Sequence, residues 1–137
     1  MLPLAQRTTQ DFIDRLRHFQ QTIGLPEQGL EQTRQSWLDL TTLAIDRLIP
    51  TLNQLLEVIE SENLDPVFEA QLRSLGPEVG RLIKLLQIDW QFWQAAKQPD
   101  RRHQRQQQLL HHAQQLEQLL AKLLSEMALH LERKREV

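Results

Sequence analysis

At 137 residues the chain is long enough for one domain with a buried core. Its formal net charge of −2 lacks the positive excess of a general nucleic-acid binder, and the absence of cysteine excludes disulfides and thiolate metal or redox sites. No apolar run approaches the ~18 residues of a membrane span, and "MLPLAQRTTQ" lacks a signal peptide's apolar core, so the expected location is the cytoplasm. Leucine carries most of the apolar content and glutamine most of the polar content; both favour helix, and β-branched residues are few.

The first predicted helix covers about 5–23. Phe12, Ile13, Leu16, Phe19 and Ile23 fall on one face at helical spacing. Thr8 with Asp11 resembles a capping box, although Ala5 extends the pattern upstream. Gly24 suits a left-handed cap, and Pro26 the first turn of the next helix.

The second helix is predicted over about 26–61. Leu30, Trp37, Leu38, Thr41, Ile45, Leu48, Leu52, Leu55 and Ile59 keep a continuous stripe. Pro50 lies inside that stripe and implies a kink, because proline removes an N–H and its ring clashes with the preceding turn. Asp65 then suits an N-cap, with Pro66 at the first helical position.

The third helix is predicted over 66–97. Gly76-Pro77 invites a boundary, yet Phe68, Leu72, Leu75, Val79, Leu82, Leu86, Trp90 and Trp93 keep one phase across it. One kinked helix is preferred to two. "KQPD" makes the last turn. The fourth helix covers about 99–133 with Leu109, Ala113, Leu116, Leu120, Leu123, Met127 and Leu131 inward. Turns this short place consecutive helices antiparallel, so the expected fold is a single all-α domain, an up-down four-helix bundle with kinked second and third helices.

Two places carry more apolar surface than such a bundle needs. Leu85, Ile88 and Phe92 point about 120° away from the stripe of the third helix, and Leu40 and Leu43 lie off the stripe of the second. A helix that is apolar all round must be covered by something. The first helix is one candidate cover, through Phe19 and Ile23. A second protein molecule is the other, either another copy of the chain or a different partner.

Beside this surplus stand Arg101, Arg102 and Arg105, in the first turns of the fourth helix, where positive charge opposes the helix macrodipole. Three arginines are too few to grip a duplex, so an anionic protein surface is the better counterpart. At the other end of the bundle, Arg133, Lys134 and Arg135 are expected to pair with Glu57, Glu60, Glu62 and Asp65. Histidines 18, 103, 111, 112 and 130 show no Glu-x-x-His pairing of the di-iron bundles, and no metal or other cofactor is expected. No phosphate loop, nucleophile elbow or zinc-protease motif occurs, and Asp39, Asp46 and Asp89 fall on outward or flanking positions without paired geometry. The residues describe a binding module, not an enzyme.

One stretch adds a resemblance. Residues 89–120 read "DWQFWQAAKQPDRRHQRQQQLLHHAQQLEQLL": a hydrophobic helix ending in Gln94-Ala95-Ala96-Lys97-Gln98, a turn at Pro99, arginines 102 and 105 among glutamines, then leucines. This resembles the PatD family of cyanobacterial heterocyst-frequency control proteins. The resemblance implies a small cytoplasmic regulator without enzymatic activity. It would bind the tubulin-like division protein FtsZ, alter filament assembly, and so link cell division to heterocyst frequency. The alternative is a helical scaffold or assembly factor that acts through homodimerisation and some other partner.

Overall fold

A computed structural model of the chain describes residues 2–24, 29–62 and 65–136, with the side chains of 59–62 and 133–136 left aside. The described residues are helical apart from Gly24, Asp65 and 96–98, without strand. Helix α1 spans Leu2–Ile23, α2 Leu30–Leu43, α3 Ile49–Glu62, α4 Pro66–Ala95 and α5 Pro99–Glu136. Between α2 and α3 the chain makes a π-helical turn, Ala44–Leu48, so 30–62 form one continuous rod. There are thus four rods.

In α1 the apolar spacing works as expected: Ala5, Phe12, Ile13, Leu16, Phe19 and Ile23 are all buried. Thr8 is no cap. It lies buried well inside the helix, which starts at Leu2. Gly24 does not take the left-handed conformation. The expected role of Pro26 falls outside the described residues.

The second rod corrects the sequence reading. Leu38 and Ile45, placed on its inward stripe, are 56% and 57% exposed. Leu40 and Leu43, placed off it, are 2% and 6% exposed and belong to the core. The π turn is the cause. The N–H of Ile49 donates to the carbonyl of Ala44, five residues back, where an α-helix would use four. One extra residue rotates the buried face by about 100°, so a stripe extrapolated back from Leu48, Leu52 and Leu55 lands one position wrong. Pro50 supplies the reason for the widening, since its ring crowds the carbonyl four residues earlier.

Asp65 caps α4 as expected, its carboxylate accepting from the N–H of Val67 at 3.0 Å. The helix then continues through Gly76-Pro77, with Leu75 and Val79 buried on either side. It ends at Ala95, two residues before the expected limit; Ala96 is extended (φ −71°, ψ 123°), and Pro99 opens α5. On α5 the expected inward residues Leu109, Ala113, Leu116, Leu120, Leu123 and Met127 are fully buried, whereas Leu131 is only partly so and its neighbour His130 is buried.

Specific pairs tie the rods together. Thr33 donates to the carbonyl of Thr22 at 3.0 Å, and Gln20 donates to Glu117 at 2.9 Å. Between α4 and α5, His130 Nδ1 stands 3.7 Å from the Asp65 carboxylate, and His112 Nδ1 pairs with the Asp89 carboxylate. One continuous core cluster draws on every rod. The side chains of Arg133, Lys134 and Arg135 lie outside the described ones, as do those of Glu60 and Glu62, so their expected pairing with Glu57, Glu60, Glu62 and Asp65 falls outside the described residues.

Candidate association surface

Aromatic side chains from three rods meet near the C-terminal end of α4. Trp37 of α2 stacks on Trp90 at 4.9 Å between ring centroids, with 12° between the planes. Phe19 of α1 lies 5.3 Å from Trp37 and 5.9 Å from Trp90. Trp93 meets Trp90 edge-on at 5.5 Å. Such offset and edge contacts add to the area these rings bury. Trp93 is buried as expected, whereas Trp90 is only partly so and packs against the rim of the core.

Phe92 takes no part in that cluster. It is 49% exposed, Ile88 is 47% exposed, and Leu85 is half-buried. The N-terminal rod therefore does not cover this face. Its 22 residues reach roughly 33 Å, against roughly 57 Å for the 38 of α5, so it is too short to shield both ends of the longer rods. Spacing of three and four along α4 puts Leu85, Ile88 and Phe92 on one ridge.

Helix α5 brings its arginines to this ridge. The guanidinium carbon of Arg105 sits 4.4 Å above the Phe92 ring, and that of Arg102 5.7 Å from the Trp93 ring. Both distances suit cation–π attraction. Arg105 also donates to Gln108 at 3.2 Å, while Arg101 is exposed. Among the described residues no carboxylate comes within ion-pair distance of Arg101, Arg102 or Arg105. Elsewhere Arg34, Arg73 and Arg81 pair locally with Glu31, Glu69 and Glu78 and Arg17 reaches Glu117, while Arg7, Arg15 and Arg47 likewise have no carboxylate at ion-pair distance among the described residues. The hydrogen bond from Arg81 holds the Glu78 carboxyl below its usual range.

Of the eight residues singled out in the sequence, Leu85, Ile88, Phe92 and Arg105 come together here, with Arg102 one turn away against Trp93 and Arg101 beside them on α5. Leu40 and Leu43 do not; they are core.

The sequence reading also placed Asp89 on an outward or flanking position, and this is corrected. Asp89 is 6% exposed and pairs with His112, because α5 covers that flank of α4 and supplies the imidazole. At the other end of the same interface His130 is buried, stacked on Phe68 at 4.8 Å, with neither ring nitrogen in a hydrogen bond among the described residues. Among the described residues no group of three His, Asp or Glu is placed to hold a metal ion, and no helix is long and apolar enough to cross a membrane.

No protein-family model, curated protein or solved structure matches the chain.

Proposed function

We propose that the chain is a non-enzymatic regulatory protein that works by binding another protein through the Leu85–Ile88–Phe92 ridge and the arginines beside it. The observation that carries this reading is the half-exposed Phe92 beneath an arginine that has no acidic partner among the described residues. A phenylalanine held half in water is apolar surface left over from folding, and arginine and aromatic residues are what protein interfaces enrich. The four rods run up and down as an antiparallel bundle, bent near the π turn and at Gly76-Pro77. The pairings Asp65–His130, Asp89–His112 and Thr22–Thr33 support that course, since residue numbers rise on one rod as they fall on its neighbour.

The resemblance of residues 89–120 to the PatD family supplies the partner: FtsZ, whose filament assembly the protein modulates in the cytoplasm, with effects on cell division and heterocyst frequency. Co-sedimentation with FtsZ and GTP tests this. The protein is expected to pellet with the polymer and to change its mass or bundling. Unchanged polymer, with the protein left in the supernatant, contradicts the assignment.

A second reading, a scaffold that self-associates through the same ridge, is favoured by the exposure of Ile88 as well as Phe92. Light scattering separates the two: a dimer that Phe92→Asp converts to a folded monomer identifies self-association, whereas a monomeric wild type leaves the ridge for another protein.

A further inference from the structure

The ridge has a length, a spacing and a charge, and together they describe what fits it. Leu85, Ile88 and Phe92 follow at three and four residues, over about 10 Å of α4. A partner helix with apolar side chains at every third and fourth position matches that spacing. The flank is cationic. Arg101 and Arg105, one turn apart at the start of α5, lack a carboxylate partner among the described residues.

The chemistry of these arginines narrows the class further. The guanidinium of Arg105 lies over Phe92, a contact that limits its freedom, and a guanidinium offers paired N–H groups to a planar acceptor. A carboxylate is such an acceptor, and the resulting paired hydrogen bonds are charge-assisted. Positive charge at the start of a helix also opposes the helix dipole, and an incoming anion relieves that repulsion.

We propose that this surface takes an acidic amphipathic helix of a partner protein, its apolar side chains against Ile88 and Phe92 and its carboxylates on Arg101 and Arg105. The proposal rests on the association reading above and names the chemistry of the partner's contacting segment. An anionic membrane is the other surface that apolar and cationic residues can meet, but three arginines contribute only about 1 kcal/mol each there.

The test uses the full chain and a synthetic helical peptide with leucine at every third and fourth position and glutamate elsewhere. A leucine–lysine peptide of the same pattern is the control, and tryptophan fluorescence is the readout, because Trp90 and Trp93 lie just beneath the surface. The leucine–glutamate peptide is expected to bind and to weaken by about tenfold or more as NaCl rises from roughly 50 to 500 mM. Phe92→Asp and the double charge reversal Arg101→Glu/Arg105→Glu are each expected to weaken it by at least about tenfold while circular dichroism stays helical. Four outcomes overturn the proposal: no binding of the acidic peptide, equal binding of the leucine–lysine peptide, variants that bind as the wild type does, or a chain that pellets with phosphatidylglycerol vesicles. A chain that is already a dimer, dissociated by Phe92→Asp, also overturns it. If the acidic peptide binds and FtsZ does not co-sediment, the partner's identity fails and the surface chemistry stands.

Discussion

The guanidinium of Arg105 lies 4.4 Å over the ring of Phe92, and this contact joins the start of α5 to the exposed ridge of α4. Neither residue is explained by the core. Phe92 is half in water, and Arg105 has no carboxylate near it among the described residues. What the contact does is hold both side chains in place. Side chains already ordered lose less freedom on binding, which favours the proposed association through this surface.

Phe92→Ala removes that contact at little cost to folding. A partly exposed cation–π pair is worth about 0.5–1 kcal/mol. Trp93→Ala, one residue on, opens a hole in the core and is expected to cost about 3–5 kcal/mol. Urea melts of the two variants check this, and a Phe92 variant as unstable as the Trp93 one would place Phe92 inside the fold.

The π turn makes a second, sharper contrast. Leu40→Ala is expected to cost about 2–5 kcal/mol, while Leu38→Ala and Ile45→Ala stay within about 0.5–1 kcal/mol of wild type. Equal losses at Leu38 and Leu40 would mean that the rod keeps one α-helical phase and that Ala44–Leu48 adds no residue.

Most of the fold was legible in the sequence. The stripes of α1 and α5 follow directly from Phe12–Leu16–Phe19 and Leu109–Leu116–Leu123, because nothing interrupts their α-helical hydrogen bonding. Asp65 was legible as a cap for the same reason: a local rule decides it. The second rod was not, because a single added residue reassigns Leu38, Leu40, Leu43 and Ile45 together, and Pro50 marks the neighbourhood without stating which turn widens. Asp89 was missed because its burial depends on His112, twenty-three residues away on another helix. The ridge of Leu85, Ile88 and Phe92 was legible as surplus, but whether α1 covered it was a matter of rod length and packing.

The Asp89–His112 pair gives a third prediction. Asp89→Ala leaves the imidazole without its partner at a mostly enclosed site, and a loss of about 2–4 kcal/mol is expected. Replacing both residues with leucine restores apolar packing, and the double variant should be more stable than Asp89→Ala alone. Thermal melts of the single and double variants measure this; additive losses would deny that the two act as a pair.

His130 gives a fourth. Its ring is buried against Phe68 and neither nitrogen is hydrogen-bonded among the described residues, so its shape is expected to count more than its polarity. His130→Phe is expected to stay within about 1 kcal/mol of wild type, whereas His130→Ala should lose about 2–3 kcal/mol. A phenylalanine variant as damaged as the alanine one would show that the Asp65 contact at 3.7 Å carries the site.

The most direct test of the association surface compares two exposed apolar residues on different rods. Phe92 is 49% exposed and Leu38 56%, so both tolerate aspartate without loss of fold. In co-sedimentation with GTP and FtsZ, the proposed partner, wild type and Leu38→Asp are expected in the pellet and Phe92→Asp in the supernatant. If both variants pellet alike, the ridge at Phe92 is not where this protein meets its partner.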